Sequence, residues 1–214
     1  MSIKVLLLNG STRKDGCTYL ALSEAAKALN EQGVETEIVQ MGGVPVRDCV
    51  GCNGCAGKGQ CAFGDDMVNE VIAKAKEADG FVFGSPVYYA HPSGQILSLL
   101  DRVFYAGVEG FLHKPAAVVV TARLAGTTAS LDVLNKYLLN AEMPIVSSTY
   151  WNMVFGPAPE LVEQDKEGLQ TMRNLGRNMA WLLGCIEAGR QQGRMPPQAE
   201  RGRWTNFNRQ EAQT

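Results

Sequence analysis

Apolar and polar positions divide the chain into short continuous apolar runs separated by longer segments with a helical period. The apolar runs predict five strands, at residues 3–9, 35–40, 80–85, 116–121 and 144–148. Because apolar residues follow one another in these runs, the strands are expected to be covered on both faces. The segments of helical period predict helices at 18–32, 67–78, 92–105, 127–140 and 164–187.

Strands and helices alternate along the chain, which predicts a parallel sheet with helices on both faces. Five strands favour a doubly wound α/β fold with the order 2-1-3-4-5, whose ligand crevice lies at the carboxyl ends of the strands. Residues 1–188 are expected to form this domain. The tail, 189–214, is rich in Arg, Gln and Pro and contains Trp204 and Phe207. It is expected to be either a disordered end or an arm laid on another subunit.

Composition restricts the class of protein. The chain has 214 residues, of which 45% are hydrophobic and 20% charged, which suits one domain with a sizeable core. A net charge of −2 gives no general attraction to nucleic acid or acidic membranes. No apolar run approaches the roughly 18 residues of a membrane helix, and the N-terminus lacks the features of a signal peptide. We therefore expect a cytoplasmic protein without a nucleic-acid or membrane partner.

Four of the six cysteines lie close together in the sequence, at Cys49, Cys52, Cys55 and Cys61. Intervening glycines allow sharp turns, and closely spaced thiolates suit iron–sulfur clusters and zinc. Three interpretations stay open: an iron–sulfur cluster, a structural zinc site, whose ligands usually come as two separated pairs, and a metal-free loop. Because the loop follows the second predicted strand, we expect it near the ligand crevice. A cluster in this loop would then have a short electron path to a redox ligand bound in the crevice.

The segment after the first predicted strand, 9–18, is rich in groups that bind phosphate. It contains three hydroxyls, two glycines and an arginine before a helix begins. Together with the free amides of a helix N-terminus, these donors suit a phosphate dianion. The spacing is neither a P-loop nor a dinucleotide fingerprint, so a phosphate monoester such as that of FMN is favoured over ATP. The alternative is an ordinary helix start capped by Thr18.

A second informative segment is GSPVYYAHPSG at 84–94, followed by Asp101 and Arg102 near the end of the next predicted helix. Together with the first loop, it resembles the NAD(P)H-dependent FMN reductases of the flavodoxin-like superfamily. With the four cysteines added, the chain is similar to the iron–sulfur flavoprotein branch. The resemblance runs from about residue 3 to about residue 156, and more weakly through the last helix.

The resemblance implies that three loops hold FMN. The first loop of the family holds the phosphate, which assigns to it Ser11, Arg13, Cys17 and Thr18. The second lies along the isoalloxazine and ribityl chain, which assigns to it Pro86, Val87, Tyr88 and Tyr89. The third reaches the pyrimidine edge of the ring and corresponds to Thr121, Arg123 and Gly126. Many family members carry a glycine-rich third loop, from which Arg123 and Leu124 depart.

The resemblance also implies an activity. It indicates an FMN-dependent oxidoreductase that moves electrons from NAD(P)H, or from a ferredoxin-like partner, to a small acceptor such as a quinone or free flavin. It implies a [4Fe–4S] cluster at the four cysteines and a homodimer or homotetramer. The alternative is an iron–sulfur flavoprotein that is mainly an electron carrier or redox sensor. No catalytic side chain is assigned, because the cofactor carries out the chemistry.

Three further residues carry expectations that the structure tests. Trp181 and Cys185 lie on the last predicted helix and are expected in the core. Cys17 lies at the predicted start of the first helix, where the helix N-terminus would lower the pKa of its thiol.

Overall fold

The chain folds into one parallel sheet with helices on both faces, as given by a computed structural model that describes residues 2–203 and 205. The strands are β1 (Lys4–Asn9), β2 (Glu35–Gln40), β3 (Gly80–Tyr88), β4 (His91–Pro92), β5 (Ala116–Ala122) and β6 (Met153–Phe155). The helices are α1 (Cys17–Asn30), α2 (Val68–Glu77), α3 (Gly94–Gly107), α4 (Thr127–Asn140), α5 (Pro159–Val162) and α6 (Lys166–Gln191), with a 3₁₀ turn at Val108–Gly110. None of the helices in this described part is both long and apolar enough to cross a membrane.

The five parallel strands are arranged β2-β1-β3-β5-β6, and β4 adds a short antiparallel pairing to the end of β3. Numbered without β4, this is the predicted order 2-1-3-4-5, which is confirmed. The register places Asn9 opposite Gly84, and Pro86 opposite Thr121. The ends of β1, β3 and β5 therefore meet at one edge of the sheet.

Burial of β1 explains why its apolar residues are consecutive. Leu6 and Leu8 face a core formed with α2, α3 and α4. Val5 and Leu7 face a second core, formed with α1 and α6. Because successive side chains of a strand point to opposite faces, a strand buried on both faces needs apolar residues at every position.

The fifth strand lies further along the chain than predicted, at β6 instead of 144–148. Only one bridge, between Ala116 and Ile145, forms in that segment, and the strand proper is β6. The polar residues that follow the bridge turn toward α6 instead of the sheet. The Ser148 hydroxyl donates to the carbonyl of Thr171 at 2.6 Å, and the Asn178 side chain donates to the carbonyl of Ser147 at 2.9 Å.

The outer face of α6 corrects two further expectations. Trp181 is 71% exposed and Cys185 is also exposed, so the prediction that they lie in the core was wrong. The buried stripe of α6 consists instead of Met172, Leu175, Gly176, Met179 and Leu183. Those positions recur at helical spacing on one side, and the tryptophan and cysteine fall on the other.

The C-terminal tail begins beyond the predicted boundary at 188, since α6 continues to Gln191. Residues 194–203 form no helix or strand, and Arg201 forms an ion pair with Glu142 at 2.8 Å. Trp204 and Phe207, the proposed anchors of a subunit-embracing arm, lie outside the described residues.

Candidate functional site

The first loop leaves β1 at a crowded junction of β1, β3 and α3. The amide of Gly10 donates to the carbonyl of Gly84 at 2.8 Å, and the hydroxyl of Ser93 donates to the carbonyl of Gly10 at 3.0 Å. A Cβ on Gly10 would lie 2.5 Å from the side chain of Ile96 and 2.7 Å from that carbonyl of Gly84. Only glycine fits at this junction, which fixes where the loop departs from the sheet.

The loop leads to a helix N-terminus that no side chain caps. Helix α1 follows Gly16, and its first turn has no side-chain cap hydrogen bond. Within the loop, the amide of Arg13 donates to the hydroxyl of Ser11 at 3.1 Å, and the Arg13 side chain is exposed. The alternative that Thr18 caps the helix is therefore wrong. The uncapped first-turn amides lie beside loop hydroxyls and a cationic side chain.

Thr18 and Thr121 join the first and third loops beneath the crevice. Both residues are buried, and their hydroxyl oxygens lie 2.8 Å apart in a hydrogen bond. Helix α1 and strand β5 are thus fastened together directly below the first turn of the helix. Direct contact of these two residues with a flavin stays a prediction.

Cys17, the first residue of α1, is half-buried, and its thiol donates to the carbonyl of Gly156 at 3.4 Å. Burial raises the pKa of this thiol, against smaller lowering effects of a backbone hydrogen bond and of Arg13. The expectation of a lowered pKa was wrong, because desolvation of the thiolate outweighs the lowering effects of that hydrogen bond and of Arg13.

The second loop is a tight hairpin that carries two exposed tyrosines. Strand β3 continues to Tyr88, past its predicted end at residue 85, and pairs with β4 through Val87–Pro92 and Tyr88–His91. Tyr89 and Ala90 form the turn with φ angles of 50° and 58°. Positive φ at both central residues is the geometry of a type I′ turn, which usually takes Asn or Gly. Tyr88 is 51% exposed and Tyr89 fully exposed.

The third loop touches this hairpin. Gly126 has a φ of 90°, and a Cβ on it would lie 2.3 Å from the Cα of Ala90. Arg123 and Leu124 are exposed at the loop's tip. Helix α4 begins after Gly126, again without a side-chain cap. The second and third loops therefore form one wall, and the uncapped α1 lies at the carboxyl end of the neighbouring β1.

The cysteine loop, residues 41–67, begins at the same edge of the sheet but folds back along α3. Three hydrogen bonds from side chains along α3 hold it: Gln95 to the carbonyl of Val44, Ser98 to Asp48, and Tyr105 to Asn53. All four cysteines line one apolar cavity between this loop and α3. Its floor includes Arg102, nine residues after Ser93, which at 1.5 Å per residue is roughly 14 Å along the helix. The nearness of the cysteines to the crevice stays a prediction.

Arg102 is a residue of this region whose role the sequence did not reveal. It is 2% exposed, forms an ion pair with Asp66, whose side chain is also buried, and directs its guanidinium to Cys61. Burial alone would lower the pKa of Arg102, but the hydrogen bonds that it donates to Asp66 and Cys61 raise this pKa above its usual value. The sequence did contain a signal for this role: Arg102 is a single arginine among the apolar positions Leu99, Val103 and Ala106 of α3.

The four cysteines differ in exposure. Cys49 and Cys52 are exposed, whereas Cys55 and Cys61 are partly buried against the core. Across residues 2–203 and 205, no three His, Cys, Asp or Glu side chains come close enough together to hold a single metal ion. The sulfurs surround a cavity without converging on one point.

Comparisons with known proteins find relatives and structural neighbours among flavoproteins. An iron–sulfur flavoprotein of Methanocaldococcus jannaschii is 34% identical over 193 residues, which cover 86% of this chain and all of that protein. An archaeal flavodoxin superposes with a TM-score of 0.59 at 12% identity, covering 85% of this chain and 99% of the flavodoxin. A flavoenzyme NAD(P)H:acceptor oxidoreductase of Paracoccus denitrificans gives a TM-score of 0.60 at 16% identity, covering 86% of this chain and 98% of that one.

The two structural similarities establish a flavodoxin-like fold. A sequence profile described as NADPH-dependent FMN reductase matches residues 3–158, a span that includes the three loops, the cysteine loop and every strand of the sheet. The chain therefore belongs to the NADPH-dependent FMN reductase family, whose members are flavin oxidoreductases.

Proposed function

We propose that this protein binds FMN across the three loops and uses it to pass electrons from NAD(P)H, or from a ferredoxin-like partner, to a small acceptor such as a quinone or free flavin. The observation that carries the proposal is the uncapped N-terminus of α1, which lies beside a hydroxyl-rich loop and across from an exposed tyrosine hairpin.

The phosphate of FMN fits the first loop. A phosphate dianion would satisfy the free first-turn amides of α1, including those of Cys17 and Thr18. Arg13 is exposed at the mouth of the loop, where its guanidinium can add a charge-assisted hydrogen bond. Thr18 would act through its backbone, because its hydroxyl is bonded to Thr121.

The ring of FMN fits the wall formed by the second and third loops. Tyr88 and Tyr89 offer exposed aromatic surface, and Pro86 and Val87 are half-buried just before them. The two positive φ angles of the turn cost about 1–3 kcal/mol each, a cost expected where a loop is held in place for a ligand. Arg123 lies at the tip of the third loop, where a cation favours the negative charge that a reduced flavin carries.

FMN, when bound, accepts a hydride and releases one or two electrons. The residues of this chain then position the ring and exclude water on the side of the tyrosines. Arg123 stabilises the negative charge of the reduced flavin. No side-chain base or nucleophile is required, and the thiol of Cys17, whose pKa is raised by burial, is suited to a positioning role.

We propose that Cys49, Cys52, Cys55 and Cys61 hold a [4Fe–4S] cluster. Zinc sites usually take their ligands as two well-separated pairs, whereas these four cysteines follow one another in one loop and line one cavity. In a cluster each cysteine sulfur binds its own iron, so four sulfurs around a cavity suit a cluster. The cluster would supply one-electron transfer, and the separation along α3 leaves room for a path through a neighbouring subunit of a homodimer or homotetramer.

An electron carrier or redox sensor with little substrate turnover is a second candidate. It is favoured by the exposure of Cys49 and Cys52, which puts the cysteine cavity within reach of a protein partner. Rapid NAD(P)H oxidation with a simple acceptor would support the enzyme. Slow oxidation combined with fast reduction by ferredoxin would support the carrier.

The experiment that tests the flavin site compares the affinities of FMN and riboflavin for the flavin-free protein. The phosphate site predicts markedly tighter binding of FMN. Equal affinity for the two flavins would overturn the assignment of the first loop.

A further inference from the structure

The Cys61 sulfur receives two hydrogen bonds from one buried cation. The Nε and Nη2 atoms of Arg102 each lie 3.3 Å from this sulfur. The remaining donors of the guanidinium are also used, by Asp66, by the carbonyl of Arg47 at 3.1 Å and by the carbonyl of Phe63 at 3.3 Å. Because every direction of the planar fork is occupied, the guanidinium has one orientation, with two N–H groups directed at sulfur.

The backbone of Cys61 is fixed as well. The side-chain amide of Asn69, on α2, accepts from the Cys61 amide at 2.8 Å and donates to the Cys61 carbonyl at 3.1 Å. Within the part of the chain that the structure describes, no other sulfur of the four receives a side-chain hydrogen bond. Cys49 and Cys52 lie instead around Gly51 and Asn53, both of which have positive φ. Cys61 is thus the member of the set whose backbone and sulfur are both held by side-chain hydrogen bonds.

Burying a charge is costly unless it is paired and hydrogen-bonded. A core-facing position on α3 would ordinarily be apolar, as its neighbours Leu99 and Val103 are. The ion pair with Asp66 compensates for the burial of Arg102. It does not explain why two N–H groups of the guanidinium donate to the sulfur of Cys61. A neutral thiol is a weak acceptor, whereas a thiolate bound to iron carries the negative charge that such donors favour.

We propose that Arg102 is a positioning residue that holds Cys61 as the anchoring ligand of the cluster and raises the reduction potential of that cluster. Hydrogen bonds to ligand sulfur are among the factors that set cluster potentials. Reduction adds an electron to the centre, so donors directed at its sulfur stabilise the reduced state more than the oxidised state. This inference rests on the proposed cluster, and its test separates the two.

The test is a potentiometric titration, followed by electron paramagnetic resonance, of anaerobically reconstituted protein. Three variants are compared with the wild type. Arg102→Lys keeps the charge but loses the fork, and the double change Arg102→Met with Asp66→Leu removes the ion pair without leaving an unpaired buried carboxylate. Arg47→Met is the matched control, since it removes an exposed cation of the same loop whose side chain binds Asp65 rather than sulfur.

The double variant is expected to disfavour cluster reduction at least tenfold, which for one electron is about 59 mV, with Arg102→Lys intermediate and Arg47→Met within twofold of the wild type. The FMN potential serves as an internal reference and should not change. Iron bound at wild-type stoichiometry with an unchanged cluster potential in both Arg102 variants would overturn the role of Arg102 and leave the cluster intact. Wild-type protein that binds no iron would overturn both proposals.

Discussion

The flavin crevice and the cysteine loop are built in different ways. The crevice is assembled from the ends of β1, β3 and β5, so its position follows from the order of the sheet. The cysteine loop contains no strand or helix of its own between β2 and α2, and side-chain contacts fasten it to α3. The crevice is therefore positioned by the backbone of the sheet, whereas the cysteine loop is positioned by a few side chains.

The largest expected effect is on the cysteine loop. Changing Cys52 to Ala should abolish the broad iron–sulfur absorption of reconstituted protein, because a ligand of the cluster is lost, and should leave FMN bound. Cys185→Ala is the matched control, since this exposed cysteine lies on α6, far from the cavity in the fold. Loss of absorption in both variants, or release of FMN from Cys52→Ala, would break the separation of the two regions.

A backbone change in the crevice should have the next largest effect. Gly126→Ala places a methyl group 2.3 Å from the Cα of Ala90 at a φ of 90°, so the third loop must move off the hairpin. We expect a loss of stability of about 1–3 kcal/mol, in the range of strained substitutions, and weaker FMN binding, measured by thermal unfolding and flavin titration. Gly184→Ala, with no atom within 4 Å of its Cβ, should stabilise α6 by up to about 1 kcal/mol.

A single side chain of the first loop should have a smaller effect. Arg13→Ala should weaken FMN binding by about 1–3 kcal/mol through loss of one charge-assisted hydrogen bond. Riboflavin, which lacks the phosphate, should bind both proteins equally. Lys136→Ala, on the exposed side of α4, controls for net charge. An equal loss of affinity for FMN and riboflavin would contradict a contact between Arg13 and the phosphate.

These comparisons also separate what the sequence predicted from what it did not. The continuous apolar run of β1 and the alternation of strands with helices predicted the sheet order. A strand that is buried on both faces needs consecutive apolar residues, and these are visible in the sequence. The β6 strand was misplaced because Ser147 and Ser148 bond to α6, a tertiary contact with no local signal. The position of the cysteines along α3 was missed for the same reason, since it depends on the pairing of Arg102 with Asp66 and Cys61.

The smallest expected effect concerns the tail. A chain ending at Gly193 retains all of α6 and loses the ion pair between Arg201 and Glu142, both of which are substantially exposed. Exposed pairs contribute about 0–1 kcal/mol, so the melting temperature of the subunit should change little. We propose that the tail packs across a neighbouring subunit, so light scattering should report a smaller oligomer for the shortened chain. An oligomer of unchanged size would show that the tail is not part of the subunit interface.

The central claim is that one chain holds two separate redox centres, FMN in the crevice and a cluster beneath α3. Its most direct test is the content of iron and flavin after anaerobic reconstitution, together with the absorption change on adding a reductant. We predict one FMN and about four irons per chain, with a broad absorption shoulder that bleaches on reduction. Stoichiometric FMN without iron would contradict the claim and leave a cluster-free flavin reductase with a metal-free cysteine loop.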